Sequence, residues 1–277
     1  MKKTSALLTL GLTALLSISG CINSNDYNSR VRELLKFERY RVERILEKVK
    51  SKTLRLEAVI EYSIIGSSNY TSEQQGVGFC IKTGYGDRIV TLEHIINLHQ
   101  LERRTSIGKI TIRVNLNNRA IRINNDDKPL EVIAEDEDSD LAILKAPQGL
   151  DCYSEEDFGN IEDLYVGKEI FFYGTPLGQE LTLRKGIIGS LKGYEILKGD
   201  NMIPDNTFIY AGGTSFPGDS GSILLGEDPK TGEPKIYGVS QGMFSSTNLG
   251  WGIRVDVIRE FLIRENKPNM SNEMAVR

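Results

Sequence analysis

The 277-residue sequence is poor in the residues that build metal and redox centres, with only three cysteines and two histidines. No Cys-x-x-Cys or His-Glu-x-x-His pattern occurs, so a zinc site has no support. A net charge of −4 gives no basic footprint for nucleic acid. Mean hydropathy of −0.27 excludes a protein that crosses a membrane many times. We therefore expect a globular protein with no metal, no cofactor and no nucleic-acid partner.

The amino-terminal segment differs from the rest of the chain. Lys2 and Lys3 precede an apolar run over residues 6–18, which is shorter than the roughly 20 residues of a membrane span. This pattern predicts a signal peptide over residues 1–20. Residues 18–21, Ile-Ser-Gly-Cys, resemble the bacterial lipobox, which implies acylation of Cys21 and a membrane-anchored lipoprotein of the cell envelope that faces the periplasm or the exterior. An ordinary signal peptide with an incidental cysteine is the alternative.

Residues 21–52 are expected to form a tether and an amphipathic helix. The polar stretch 22–29 has the composition of a tether, and Ser29 is a candidate N-cap for a helix over 30–50. That helix has no Gly or Pro, carries eight Lys or Arg against four Glu, and repeats its apolar residues at helical spacing. Its basic face could rest on anionic lipid. Docking on the following domain, which we prefer, or coiled-coil pairing are the alternatives, and the oligomeric state stays open.

From residue 53 to 265 the pattern becomes that of short strands. Apolar and polar residues alternate after Lys52, beginning at Leu54, Leu56 and Ala58. Further strands are predicted at 76–82, 88–91, 109–115, 119–123, 130–134, 141–145, 169–173, 181–190, 208–211, 222–225, 235–240 and 250–255. Short strands with almost no helix between them indicate an all-β sandwich or closed barrels. Asp256 can cap a short carboxy-terminal helix, and a disordered tail is expected over 266–277.

Three segments carry candidate chemistry. His94 follows an apolar strand, and His99, the other histidine, lies in a polar stretch typical of the surface. Asp140 stands at the mouth of the apolar strand 141–145, with Asp138 and Asp136 as weaker candidates for a carboxylate that orients an imidazole. An isolated histidine or an acidic cluster would each usually be structural, so neither decides the function alone.

The third segment surrounds Ser220, which lies between glycines in the sequence Gly218-Asp219-Ser220-Gly221. Such a loop can expose the hydroxyl and aim the amides of Gly218 and Ser220 at one point, as an oxyanion hole requires. A hairpin turn is the structural alternative. The nucleophile elbow of α/β-hydrolases needs glycine two residues after the serine, where Ser222 stands here.

Together these segments resemble the trypsin-like serine proteases, and in particular an HtrA-type bacterial peptidase without a PDZ domain, from about Leu54 to Glu265. The order histidine, aspartate, serine matches the chymotrypsin-like order. Asp219 and Ser222 depart from the usual HtrA form, which has Asn and Gly there, and Glu93 stands where a small residue or Asn is common. The motifs that carry the resemblance are Gly76-Val77-Gly78-Phe79, Asp140-Leu141-Ala142-Ile143-Leu144-Lys145, Gly174-Thr175-Pro176-Leu177-Gly178, Gly186-Ile187-Ile188-Gly189-Ser190, Gly218-Asp219-Ser220-Gly221, Gly238-Val239-Ser240-Gln241-Gly242 and Gly250-Trp251-Gly252-Ile253.

The resemblance implies two six-stranded antiparallel β-barrels with an active site in the cleft between them. It makes His94, Asp140 and Ser220 the catalytic triad of an endopeptidase. It places the specificity pocket at Thr214, with Ser240, Gln241 and Gly242 along one wall. Without a carboxylate at Thr214 we expect cleavage of a protein or peptide substrate after a neutral side chain. An esterase and a catalytically silent binding module are the alternatives.

The sequence leaves one covalent feature open. Cys80 and Cys152 could pair in an exported protein, but Cys80 lies in an apolar strand where a buried free thiol is equally natural.

Overall fold

The computed structural model describes residues 24–64, 69–105, 108–123, 126–192, 206–212, 216–244 and 247–265. The predicted signal peptide, Cys21 and the tail over 266–277 lie outside these ranges. The chain divides into two compact units, with the boundary between Glu47 and Lys48. Within the described ranges, no helix has both the length and the apolar character to cross a membrane.

The first element is helix α1, Ser24–Val49. The predicted helix is confirmed, but its start is wrong, because residues 24–29 are helical rather than part of a tether and Ser29 is not an N-cap. The segment 24–29 has no Gly or Pro, the two residues that cost most inside a helix, so nothing in it stops the helix from extending toward the amino terminus.

The first β-sheet has six antiparallel strands in the order β6-β1-β2-β3-β8-β7. Its alternating pattern is clearest in β1, where Leu56, Ala58, Ile60 and Tyr62 are buried. The strands are β1 Thr53–Ser63, β2 Asn69–Thr83, β3 Gly86–Thr91, β6 Asn115–Ile123, β7 Val132–Asp136 and β8 Leu141–Lys145. The four-residue helix α2, Glu93–Ile96, follows β3, and a separate hairpin follows it, formed by β4 Gln100–Thr105 and β5 Gly108–Arg113.

The second sheet is a closed six-stranded barrel in the order β10-β11-β14-β13-β12-β9. Its core is aromatic and aliphatic, with Phe172, Phe208, Tyr210 and Tyr237 among the buried side chains. The strands are β9 Glu169–Gly174, β10 Thr182–Ser190, β11 Thr207–Ala211, β12 Ile223–Glu227, β13 Pro234–Met243 and β14 Leu249–Arg254. Helix α3, Val255–Glu265, ends the described chain, with Asp256 in its first turn rather than at its cap.

The predicted all-β class, with two six-stranded antiparallel units and a helix at each end, is confirmed, but only one of the two predicted β-barrels is closed. The second sheet closes into a barrel, whereas the first is a half-barrel: within the described residues its outer strands β6 and β7 pair on one side only. Three short 3-10 helices lie between β8 and β10, at Glu155–Asp157, Ile161–Asp163 and Pro176–Gly178.

Cys80 and Cys152 form a disulfide, with their Cα atoms 4.5 Å apart. Both side chains are buried, and the backbone N–H of Tyr153 donates to Cys80 O at 2.9 Å beside the disulfide. The bond therefore closes a long loop that contains both His94 and Asp140.

We expect a Cys80→Ala/Cys152→Ala chain to lose about 4 kcal/mol of unfolding free energy, because a crosslink separated by 72 residues strongly restricts the unfolded chain. Urea unfolding in a Cys21→Ser background measures this difference. Two thiols that react with iodoacetamide in that denatured, unreduced background would contradict the disulfide.

Candidate active site

His94 lies on the short helix α2, which follows strand β3 in the chain. The prediction placed it at a strand end, and the structure places it three residues after β3 ends at Thr91. Its side chain is 46% exposed. The Gln74 side-chain amide lies against the carbonyl oxygens of His94 and Ile95 and can donate to both, so β2 holds the short helix in place.

Asp140 lies in the turn that connects β7 to β8, and its side chain is 16% exposed. Its φ of +54° is in the left-handed region, which Asp tolerates better than most residues. One carboxylate oxygen accepts from the backbone N–H of His94 at 2.9 Å, and the other lies 2.8 Å from His94 Nδ1. The carboxylate therefore fixes both the backbone and the ring of His94.

The two fallback candidates do not reach His94. Asp136 accepts hydrogen bonds from the backbone N–H groups of Asp138 and Ser139 and pairs with Arg264, so it stabilises the turn. Asp138 is exposed.

Ser220 lies in the loop before β12, and its Oγ is 3.0 Å from His94 Nε2. The backbone N–H of Val77 donates to Ser220 O at 2.8 Å, which ties this loop to β2. Gly221 permits that approach, because its φ is +84° and a Cβ there would lie 1.9 Å from Val77 O. The chain therefore brings together Asp140, His94 and Ser220 from the two sheets.

Gly218 has a φ of +94°, which its lack of a side chain permits. Within the described residues, the structure records no backbone or side-chain partner for the N–H groups of Gly218 and Ser220. Both donors are thus available near the Ser220 hydroxyl.

The residues predicted to form the specificity wall make the following contacts. Gln241 donates from Nε2 to Asp140 Oδ2 at 3.0 Å. Ser240 is buried, and its hydroxyl bonds to Tyr210 at 2.7 Å. Gly242 lies under the indole of Trp251, where a Cβ would be 2.3 Å from the ring. Thr214 lies outside the described residues.

Two contacts at the site were missed by sequence reasoning. Glu93 is buried, and its carboxylate lies 2.7 Å from Nε2 of His99, which accounts for an acidic residue beside His94. Arg184 forms an ion pair with the buried Asp219. The unusual Asp219 was a signal that a cation must lie nearby, but nothing in the sequence identified Arg184.

A cavity of about 860 Å³ opens beside His94, with Asn97, His99, Val114 and Glu137 among its lining residues. Its size is within the range of ligand sites, and its walls are mostly polar side chains. It therefore provides space for part of a bound substrate next to the imidazole.

Partial desolvation of the half-exposed imidazole disfavours its charged form, but the hydrogen bond and charge of Asp140 and the charge of Glu93 outweigh this effect. The pKa of His94 therefore lies above its ordinary value of 6.5.

Two six-stranded antiparallel sheets that meet at neighbouring serine, histidine and aspartate side chains are the architecture of chymotrypsin-like serine proteases. Residues 76–233 match the family model described as a trypsin-like peptidase domain, and the chain belongs to this family. The predicted trypsin-like family is confirmed, and membership supports the predicted enzyme class, a serine endopeptidase.

Two curated relatives are similar to this chain. The chloroplastic Protease Do-like 1 of Arabidopsis thaliana is 28% identical over 132 residues, which are 46% of this chain and 29% of the relative. The probable periplasmic serine endoprotease DegP-like of Hahella chejuensis is 28% identical over 191 residues, 67% of this chain and 34% of the relative. The chain thus spans about a third of the length of these relatives.

Two solved structures share the fold. The active form of the Rv3671c protease from M. tuberculosis superposes with a TM-score of 0.55 at 16% identity, over 81% of this chain and 85% of that one. The HtrA-type protease AlgWS227A with a decapeptide has the same TM-score and identity, over 80% of this chain and 66% of the other.

We expect the imidazole of His94 to titrate above pH 6.5, and Asp140→Asn to lower its midpoint, because the variant loses the charge that favours the imidazolium. NMR titration of the ring protons measures both values, and His99→Gln assigns the only other histidine. A wild-type midpoint at or below 6.5 would contradict the electrostatic account.

Proposed function

We propose that this protein is a serine endopeptidase in which Asp140, His94 and Ser220 act as a catalytic triad. The observation that carries the proposal is the continuous chain of contacts from the Asp140 carboxylate to His94 Nδ1 at 2.8 Å, and from His94 Nε2 to Ser220 Oγ at 3.0 Å. Each distance suits transfer or orientation of a proton.

In this mechanism Ser220 Oγ attacks the carbonyl carbon of a peptide while His94 Nε2 accepts the hydroxyl proton. The tetrahedral intermediate collapses to an acyl-enzyme when His94 returns that proton to the leaving amine. Water then attacks the ester carbonyl while His94 Nε2 accepts a proton from the water. The bond between the acyl carbon and Ser220 Oγ breaks as His94 returns that proton to Oγ, which releases the carboxylic acid product and restores Ser220. The protein's own side chains and amides supply every group, so the mechanism uses no metal or cofactor.

The surrounding contacts have defined roles in this mechanism. Asp140 holds the ring so that Nε2 faces Ser220, and it stabilises the imidazolium. Gln241 donates to the same carboxylate and fixes its orientation. The amides of Gly218 and Ser220 bind the oxyanion, where one donor typically contributes about 2.7–4 kcal/mol of transition-state stabilisation. Because catalysis needs neutral His94, the rate should decline on the acidic side of a midpoint above pH 6.5.

The substrate of this proposal is a protein or peptide, because the two curated relatives are named a protease and a serine endoprotease. The cavity beside His94 can accept residues of an extended chain. Because Thr214 carries no carboxylate, we expect the residue before the scissile bond to be neutral. Gly242, in the predicted wall of the specificity pocket, lies against the Trp251 indole, which gives that wall an apolar surface.

A fluorophosphonate probe should label Ser220 covalently, and Ser220→Ala and His94→Ala should abolish labelling, because one removes the nucleophile and the other its base. Ser222→Ala is the matched control. Its hydroxyl is buried two residues away with no partner among the described residues, and its loss should leave labelling intact. Gel fluorescence and mass spectrometry of the labelled peptide measure the result.

An unlabelled, folded wild-type chain would favour the binding module over the enzyme. Labelling together with hydrolysis of esters but not of a peptide library would favour the esterase.

We further propose that the chain is exported and held at a membrane through acylated Cys21, next to the basic helix α1. The proposal is supported by the lipobox-like sequence and by apolar side chains that α1 exposes, including Leu34, Phe37 and Tyr40, which are 52%, 63% and 64% exposed. The name of the Hahella relative places that protein in the periplasm.

We expect the mature protein to begin at a diacylated or triacylated Cys21 and to sediment with membranes, because two or more acyl chains give stable anchoring. Intact-mass spectrometry and fractionation measure this, with Cys21→Ser as the soluble control. A free Cys21 thiol or cleavage at another residue would refute the anchor without affecting the triad.

A further inference from the structure

The residue before the proposed nucleophile carries a buried charge. The Asp219 side chain is only 3% exposed, and the Arg184 guanidinium contacts both of its carboxylate oxygens, with Nη1 2.7 Å from Oδ2. The backbone N–H of Phe216 also donates to Oδ2 at 2.7 Å. The carboxylate is therefore bound on both oxygens, by one side chain from the barrel wall and one amide from its own loop.

Arg184 is itself held in place. It lies on β10 directly opposite Phe172 of β9, and its guanidinium carbon is 5.0 Å from the centroid of the Phe172 ring. Its side chain is 13% exposed. A planar guanidinium that stacks on a ring and forks to a carboxylate is more rigid than an ammonium on a flexible chain. The pair thus joins the Ser220 loop to a rigid strand of the barrel.

Further hydrogen bonds fix the peptide units of residues 216–219, which form the loop before Ser220. Asp219 N donates to Phe216 O, Thr175 Oγ1 donates to Gly218 O at 2.6 Å, and Leu177 N donates to Pro217 O at 2.7 Å. In all three hydrogen bonds the acceptor is a carbonyl oxygen of this loop, and none of them uses the N–H group of Gly218 or Ser220. The anchored loop therefore presents these two amides together.

We propose that Arg184 is a positioning residue whose guanidinium, through Asp219, holds the Gly218 and Ser220 amides in the orientation that binds the oxyanion. Because this countercharge is part of the barrel, the Asp219 carboxylate has its cation as soon as the barrel folds. The inference rests on the proposed peptidase function, and it adds to that function how the site is held in its competent form.

A purely structural ion pair would affect stability without a specific effect on the transition state. Removal of one partner leaves a buried charge, so single variants can unfold. The Arg184→Gln/Asp219→Asn chain avoids this problem because both side chains become neutral and can still hydrogen-bond. Arg184→Lys keeps the charge but loses the fork. Arg254→Gln is the matched control, since Arg254 ends strand β14 of the same barrel and pairs with Asp256 of α3 rather than with the loop of Ser220.

The experiment uses full-length variants that near-UV circular dichroism shows to be folded. It measures kcat and KM for peptide hydrolysis and the dissociation constant of a peptide aldehyde. The aldehyde forms a hemiacetal with Ser220, and that adduct needs the oxyanion site. We expect the double variant to lose about 100-fold in kcat and a similar factor in aldehyde affinity, with KM within about threefold. Arg184→Lys should lose less, and Arg254→Gln should match wild type.

A folded double variant with wild-type kcat and aldehyde affinity would overturn the role of Arg184 and leave the peptidase proposal intact. A wild-type chain that neither labels nor hydrolyses peptide would overturn both proposals.

Discussion

The hydrogen bond from Val77 N to Ser220 O is the contact on which the site depends. It fixes the loop of the second barrel against β2 of the first sheet, whose own contacts carry the short helix of His94. Gly221 makes it possible, because any side chain there would collide with Val77 O. Without this close approach, the 3.0 Å contact between His94 and Ser220 could not form, however well each sheet folded alone.

Three carboxylates lie near this contact, and each has a partner of its own. Asp140 is bound by His94 and Gln241, Asp219 by Arg184, and Glu93 by His99. Burying a charge without a partner is costly, so these pairings are conditions for the fold as well as for the chemistry. Each carboxylate also has a different role. Asp140 orients the His94 imidazole, Asp219 anchors the loop that carries Ser220, and Glu93 adds negative charge beside His94.

The sequence was informative where local pattern determines structure. Alternation in β1 and the glycines around Ser220 predicted a strand and an exposed loop, because each depends on neighbouring residues alone. The sequence could not reveal Arg184, which lies 35 residues before Asp219 and meets it only when the barrel closes. The contact of Gln241 with Asp140 escaped the sequence for a similar reason, since it joins the two sheets. The predicted start of α1 was too late because the polar residues 24–29 were interpreted as a tether. They contain no Gly or Pro, and the helix extends through them.

The most direct test of this account is a crystal structure with a peptide boronate. The account predicts a covalent bond between boron and Ser220 Oγ, with one boronate oxygen about 3 Å from the amide nitrogens of both Gly218 and Ser220. The other boronate oxygen should face His94 Nε2. Boronate bound without a bond to Ser220, or with its oxygen directed away from the two amides, would contradict it.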